Sequence, residues 1–557
     1  MSNLFNLGKR GLSAAQMGLN TTGHNITNVN TPGFSRQQAM VSSTNAQGGP
    51  NGYQGTGVQV NTVRRIYDGF LTNQLNVATA NHAATATFTD QMSRINNLLA
   101  DNTVGVSPAL SRFFEGVNAV ASQPAEPAAR QELLGRAQSL VSQLNSTQAF
   151  LQDQLTGVNQ QIQTTVEAVN SYANRINDLN QQIITARATV FGQPPNDLLD
   201  QRDQLITELN EMVGVTVVEQ GDRFNLTVGN GQTLISGNKA YPLVAVRSAA
   251  DPTRLAVAYT TAGNQQVELD DTVLGGGRLG GLLEYRTEVL DATQNELGRL
   301  AIGLAMSFNA VHEQGAGLDG QAGRSFFATG ANPATALRNA GNASDANLQY
   351  SIQNVNDLTT SEYRVRYTAD GYNVERLADG AVFTPPDAND IDGFVVDGVA
   401  FSAPSTAPAA GDSFLVQPVR YAARDIDVTL ANPADIAASA YDAADATVGG
   451  SANGDNALAL AQLQSQRVLG GGTMSVTEAF SQLVNNVGVK GQTANTALNA
   501  QTTLRQQAFQ AQQAVSGVNL NEEYINLDFY TQQYNASARL IDVGTTLFDV
   551  LLGLGNR

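Results

Sequence analysis

The chain has 557 residues, 42% of them hydrophobic, which gives room for roughly three or four domains with real cores. Its net charge of −18 argues against a nucleic-acid partner, which requires a basic face, and against an anionic membrane surface. With no cysteine, disulfides, thiolate-bound metals and thiol catalysis are excluded.

The N-terminus carries a basic pair, Lys9–Arg10, but no apolar run of signal-peptide length follows it. A cleavable secretory signal is therefore not expected, and no apolar stretch of about 18 residues predicts a membrane span. Phe5, Leu12, Leu19 and Ile26 recur every seventh residue, and Gly8, Ala15, Thr22 and Val29 follow each by three. That spacing predicts a helix that seats against a partner helix. Thr31-Pro32-Gly33 then signals a turn. Phe34 to Val41 and, after a Gly/Pro/Asn-rich gap, Val58, Val60 and Val63 read as a long-looped hairpin.

Helices are predicted at 70–99 and 126–190, the second with Pro127 in its first turn and Pro194–Pro195 past its end. Within it Val141, Gln148, Leu155, Ile162, Val169, Ile176, Ile183 and Val190 form one heptad series. Leu144, Leu151, Val158, Thr165, Tyr172, Leu179 and Ala186 form the other. Some 60 helical residues make a rod about 90 Å long. Further helices are expected at 197–213, 279–313, 456–469 and 474–515. Regions 214–277 and 345–430 read as β, from their alternating valines and aromatics.

The C-terminal end is again heptad-spaced. Leu520, Leu527, Tyr534, Ile541 and Phe548 lie seven apart, with Tyr524, Ala538 and Leu552 four residues after members of that series. Burial of one such seam falls short of the entropy of ordering the segment. Both ends are therefore expected to be loose until neighbouring molecules cover them. Charge favours pairing between the ends. Met1 to Tyr67 holds five basic residues and no acid, whereas Asn521 to Arg557 holds five acids and two arginines.

These readings add up to an α+β multidomain protein with terminal coiled-coil helices, a long α-helical stalk and inserted, outward-facing β modules. The expected division is an inner coiled-coil domain of 1–66 paired with 516–557, and a stalk of 67–213 with 278–340 and 431–515. A β-rich insertion of 214–277 and an outer β domain of 341–430 complete it.

Chemical motifs are sparse. Gly275, Gly277 and Gly280 give G-x-G-x-x-G, but no second strand follows at βαβ distance, so a domain hinge is the better reading than a dinucleotide site. His24, His82 and His312 have no histidine partner at helical spacing, and no metal site is expected. Asp387 to Gly393 is acidic, but Ile391 falls where a calcium loop needs a ligand. Asp270–Asp271 has no context that singles it out for acid–base work. No catalytic residue and no cofactor are assigned.

Asn25-Ile26-Thr27-Asn28-Val29-Asn30-Thr31-Pro32-Gly33-Phe34 resembles the signature of the flagellar rod, hook and hook-associated axial proteins. Ser35-Arg36-Gln37 is similar to the hook-associated branch. So are Asn196-Asp197-Leu198-Leu199-Asp200-Gln201-Arg202-Asp203, Phe308-Asn309 with His312, Gly323, and Phe326–Phe327. Gly55 to Val58, Arg65, Asp68, Phe70 and Leu71 resemble the family's next block, and Val518 to Glu523, Asn526-Leu527, Tyr534 and Ala536 to Arg539 its terminal helix. Phe529 and Asn535 depart from the usual Gln-rich terminal pattern.

The resemblance implies an extracellular structural component of the bacterial flagellum that joins hook to filament and is not an enzyme. It further implies self-assembly in a helical array and type III export without signal cleavage. The implied partners are the hook protein, a second hook–filament junction protein, and a cytoplasmic chaperone on the C-terminal helix. The assembly interface is assigned to Phe5, Leu12, Leu19, Ile26, Leu520, Tyr524, Leu527, Tyr534, Ile541, Phe548 and Leu552. Asn25, Asn28, Thr31, Pro32, Gly33 and Phe34 form the family motif. The alternatives are another axial protein of rod or hook, and a secreted adhesin or enzyme borne on the β modules.

Overall fold

The computed structural model describes residues 2–49, 52–99, 105–189, 193–221, 223–261, 263–442, 444 and 447–555. Helix α1 (Ser2–Thr27) leads into an antiparallel pair, β1 (Gln37–Ser43) and β4 (Val58–Arg65). Between them a small outer hairpin, β2 (Gln47–Gly49) and β3 (Gly52–Gln54), projects with Tyr53 fully open to solvent. Helices α2 (Gly69–Leu99), α3 (Val106–Ser122), α4 (Pro127–Thr189) and α5 (Asn196–Met212) follow.

Helix α4 runs unbroken for 63 residues, about 95 Å at the usual rise. Pro127 opens it, where a missing N–H costs nothing. Its heptad positions from Val141 to Ile183 are buried apart from the half-buried Tyr172, Ala186 lies half-buried beyond them, and Val190 lies outside the described residues. Both polar interruptions donate a hydrogen bond. Gln148 donates to the Arg420 carbonyl at 3.1 Å, and the Thr165 hydroxyl donates to the Gln161 carbonyl at 2.7 Å. Helix α3 was not expected from the sequence. It carries Leu110, Phe113, Phe114, Val117 and Val120 on one buried face, and Phe113 meets Phe308, Phe326 and Phe327 in an aromatic cluster.

The first β-rich region forms two antiparallel sheets. One holds β5 (Val215–Gln220), β6 (Arg223–Val228), β7 (Gln232–Ser236) and β8 (Lys239–Ala240). The other holds β9 (Leu243–Arg247), β10 (Leu255–Thr260) and β11 (Gln266–Glu268). Both lie along α4 and share its core. Asparagines of α4 clip strand backbones from the side. Asn170 donates to the Leu243 carbonyl at 2.8 Å and accepts its N–H at 2.9 Å, and Asn159 does the same between Thr253 and Leu255. A side-chain amide suits this role because it carries donor and acceptor together.

The Gly275–Gly280 stretch is a close crossing of two chain segments, not an open hinge. A Cβ on Gly277 would stand 2.4 Å from the Val213 nitrogen, and one on Gly214 would stand 2.6 Å from the Gly275 carbonyl oxygen. Gly276 and Gly277 also sit at positive φ, where side chains are strained. Beyond it α6 (Gly277–Tyr285) and α7 (Ala292–His312) are joined by a π-helical turn over Arg286–Asp291.

The outer region has a core of its own, and Ile302 of α7 reaches into it. One sheet orders strands 337–338, 413–416, 363–368, 371–376 and 381–383. A second orders 334–335, 349–352, 399–402 and 395–396. The acidic Asp387–Gly393 segment is a run of Asx turns: Asp387 accepts from the Asn389 N–H at 3.0 Å and Asp390 from that of Asp392 at 2.9 Å.

The outer region is fastened to the helical body by a buried ionic cluster. Arg420 reaches Glu362 at 2.5 Å and Asp291 at 2.9 Å, while Arg254 reaches Asp291 at 2.9 Å and Asp251 at 3.0 Å. Burial pushes the Glu362 carboxyl up, against the pull of Arg420 and Arg254. Burial works to lower the Arg254 guanidinium, but Asp291, Glu362 and Asp251 outweigh it and raise it. Backbone contact reinforces the joint, because a Cβ on Gly298 would overlap the Val419 carbonyl.

After the one-turn helix α8 (Ala422–Asp425), the chain returns through α9 (Asp455–Gln462) and α10 (Val476–Ser516). Helix α9 stops at Gln462, seven residues short of the expected 469, where Leu469 and Met474 form a bridge closing a Gly470–Gly472 turn. A capping box of Ser475 and Glu478 starts α10, which packs along α2. Helix α11 (Leu520–Gly555) closes the chain.

Candidate assembly surface

Helices α1 and α11 pack against each other, antiparallel, through small residues. A Cβ on Gly8 would stand 2.7 Å from Ile541 Cγ1, one on Gly11 2.6 Å from Ser537 Oγ, and one on Gly18 2.5 Å from the Tyr530 ring. Ala15, Thr22 and Asn25 continue the covered face of α1, and Glu523, Ser537 and Gly544 that of α11. Glycines lower helix propensity but let the two backbones approach closely.

The large heptad residues lie beside this contact rather than in it. Phe5 is exposed, and Leu12, Leu19 and Ile26 are half-buried. Leu520, Tyr524, Leu527, Tyr534, Phe548 and Leu552 are exposed, while Ile541 is half-buried against Gly8 of α1. The internal pairing thus uses the small-residue series and leaves the apolar ridge on the surface. Among the described residues α1 is the one helix or strand packed substantially against α11.

The family-motif residues build the exit from α1. Asn25 acts as a mock strand partner: it donates to the Gln37 carbonyl and accepts the Gln37 N–H, both at 2.9 Å. It also donates to Glu523 at 3.2 Å. Asn28 donates to the His24 carbonyl at 3.0 Å and accepts from the Thr31 hydroxyl at 3.1 Å. Pro32 is exposed on the turn, and Gly33 follows at φ 75°, where a Cβ would meet Gln204 at 2.7 Å. Phe34 sets its ring edge to His24, centroids 5.4 Å apart.

The first turns of α5 hold this exit from the other side. Asp200 accepts from the Ser35 N–H at 2.9 Å and pairs with Arg65 at 2.8 Å, and Asp203 pairs with the same Arg65 at 2.7 Å. Asp197 accepts from Gln37 at 2.7 Å and lies 3.2 Å from His24 Nε2, while Asn196 donates to the Val63 carbonyl at 2.9 Å. Burial pushes the Asp200 carboxyl up, against Arg65 and the Ser35 N–H. Burial works to lower Arg65, but Asp203 and Asp200 outweigh it and raise it.

Arg36 completes the clamp toward α11, with Glu523 at 2.7 Å and Glu522 at 2.8 Å, and its N–H donates to the Ser516 carbonyl at 2.8 Å. The sequence reading counted Arg36 and Glu523 in the charge that favours pairing of the ends, and placed Gly8, Ala15 and Thr22 in the heptad of α1, but assigned none of them to the interface. The signal for the seam was the Gly8–Gly11–Ala15–Gly18 spacing, one residue before or three after the large residues.

Sequence reasoning also missed a second ridge on α11. Ile525, Phe529, Leu540, Val543, Leu547 and Leu554 follow a helical period and are all exposed. Among the described residues no group of three or more His, Asp or Glu is placed to hold a metal, and no helix is long and apolar enough to cross a membrane.

A rod-like helical body that ends in a paired but largely uncovered helix hairpin is the architecture of a subunit made for assembly. Residues 5–34 match the flagella basal body rod protein family, which places the chain among axial structural proteins of the flagellum. Residues 92–327 match the helical domain of flagellar hook-associated protein FlgK, and residues 337–418 the D2-like domain of flagellar hook-associated protein 1.

The chain is 40% identical to flagellar hook-associated protein 1 of Salmonella typhimurium over 558 aligned residues covering 100% of both chains. It is 39% identical to that of Escherichia coli, again over the full length of both. The solved structure of the flagellar hook junction protein FlgK from Burkholderia pseudomallei superposes with a TM-score of 0.72 at 28% identity, covering 80% of this chain and 100% of that one. The chain belongs to the flagellar hook-associated protein 1 family and has a structural role in the flagellum.

Proposed function

We propose that the chain is the structural joint between hook and filament and acts by packing its α1–α11 pair against sister copies in a helical array. The observation that carries this reading is the exposed apolar ridge of α11, which its own α1 leaves uncovered. Exposed apolar faces of this size mark docking surfaces. The assigned interface is Phe5, Leu12, Leu19 and Ile26 with Leu520, Tyr524, Leu527, Tyr534, Ile541, Phe548 and Leu552. The clamp of Asn25, Asn28, Thr31–Phe34, Arg36 and α5 fixes the angle at which this pair leaves the stalk.

The hook protein is the partner on one side and a second junction protein on the other. A cytoplasmic chaperone covers the α11 ridge before export without signal cleavage. A chain without cysteine suits passage in an unfolded state, since no crosslink can trap it. The protein performs no catalysis in this reading. The domains divide as an inner 1–66 with 516–557, a stalk of 67–213 with 278–340 and 431–515, an insertion of 214–277 and an outer domain of 341–430.

The test is a chain lacking residues 2–30 and 520–555, supplied to cells without the native protein. Filament growth should be abolished while the remaining stalk keeps its helical circular dichroism and melting temperature. Normal filaments from that chain would end the proposal.

A further inference from the structure

The joint between the outer region and the helical body carries more acid than base. Asp251, Asp271, Asp291 and Glu362 share three guanidiniums, those of Arg254, Arg286 and Arg420. Three of the acids are well matched. Asp291 pairs with both Arg254 and Arg420, and Asp271 pairs with Arg286 at 2.5 Å. Asp251 pairs with Arg254 and accepts from the Thr253 N–H at 3.0 Å and its hydroxyl at 2.6 Å. Glu362, among the described residues, pairs with Arg420 alone, and Asp291 competes for that guanidinium. Tyr350 of strand 349–352 and Tyr421 also face Glu362.

Gln417 stands between two of these carboxyls. Its amide nitrogen donates to Glu362 at 3.1 Å and lies 3.4 Å from Asp251, while its oxygen is buried without a donor among the described residues. Buried amide oxygens are rarely left so. An O–H on Glu362 supplies a donor beside the same side chain. Gln417, Tyr350 and Tyr421 also line a cavity of about 200 Å³, bounded on the body side by Ile302 and Met306 of α7. That cavity brings solvent to within one side chain of Glu362.

We propose that this joint holds one proton on Glu362, and that losing the proton loosens the outer region on the helical body. The contact is then a latch set by the pH of the medium, whatever the terminal helices pack against. With Glu362 neutral, the other three carboxylates balance the three guanidiniums. With it ionised, a buried excess charge has no partner, which is the costly state. Burial raises the Glu362 carboxyl, against Arg420 and Arg254. Burial also works to raise Asp251, but Arg254 and Thr253 outweigh it and hold it below the usual carboxylate range. The proton therefore belongs to Glu362. Its value is higher in the folded chain than in the unfolded one, so attachment is strongest in mild acid and is lost as pH rises through the folded value.

The native chain has no cysteine, so two thiol-linked spin labels can be placed selectively, at Thr156→Cys on α4 and Ala369→Cys on the outer region, both exposed. In the full-length chain their distance should be single at about pH 6, and a second, longer population should grow about tenfold per pH unit once Glu362 ionises. Infrared spectra should show a protonated buried carboxyl at about pH 6 that is gone at about pH 9. Glu362→Gln, a mimic of the neutral acid, should lack that band and keep one distance throughout. Asp251→Asn balances the cluster and should blunt the pH response of the distance. A native chain without the band in mild acid, a distance that does not change on going to alkaline pH, or a Glu362→Gln chain that opens with pH as the native one does overturns the proposal. Should Glu362→Gln fail to fold, an undiminished pH response in Asp251→Asn overturns it equally.

Discussion

Two single residues show how the core and the terminal pair depend on local chemistry. His312 is fully buried, stacked on Phe308, with Nδ1 2.6 Å from the Arg324 carbonyl and Nε2 accepting the Ala437 N–H at 2.9 Å. That pattern requires the neutral ring, and burial pulls its pKa down to about 4. The unfolded chain takes up the proton first, near pH 6.5, so the stability tied to His312 is complete above that pH and is lost as pH falls toward 4. Urea unfolding should show a loss of about 3 kcal/mol across that window, and His312→Gln should flatten it. At the other end of the fold, Gly18→Leu would drive a side chain into the Tyr530 ring. The expected cost is about 1–3 kcal/mol, confined to the terminal pair. Filament growth should fall while the melting temperature of the stalk holds.

Among elements, α5 decides how the terminal pair is held. Asp200 and Asp203 share Arg65, all three nearly buried. Asp200→Ala would free the Ser35 N–H and leave Arg65 half-paired, at a cost of about 3 kcal/mol. Hydrogen exchange should quicken at Ser35–Gln37 before any change in α4. The elements also differ in how well the sequence announced them. Helix α4 was read to within a residue at each end, because proline marks both boundaries and its heptads keep one core-facing seam. Helix α3 escaped because Pro108 and Gly116 weaken a short pattern that Leu110, Phe113, Phe114 and Val117 nevertheless carry. The second ridge of α11 escaped because a strict seven-residue search drifts off a 3.6-residue helix, whereas Ile525 to Leu554 follows the true period. Large residues drew the interface assignment, yet the backbones meet at glycines. Sequence periodicity marks what is apolar; it does not say which face the chain covers for itself.

At the scale of the molecule, the helical body and the outer region have separate cores, joined by the ionic cluster, the Gly298–Val419 approach and Ile302. Removing one member leaves unpaired buried charge, so Arg420→Met should cost about 3–5 kcal/mol. It should also turn one unfolding transition into two, with proteolysis appearing near Val419. The α+β plan of stalk, terminal helices and β regions was legible from periodicity and prolines. The cluster was not, because Asp251, Arg254, Asp291, Glu362 and Arg420 are scattered in sequence and meet only through the fold.

Helix α4 has a mechanical consequence. One continuous rod is stitched to the insertion through Asn159 and Asn170, touches the outer region's root through Gln148, and ends a few residues before the clamp on the terminal pair. Torque applied at the inner end therefore travels along a stiff spar instead of dissipating in linkers. In the proposed joint a flexing hook would tilt each subunit as a rigid lever, and compliance would reside in the sliding of neighbouring copies past one another.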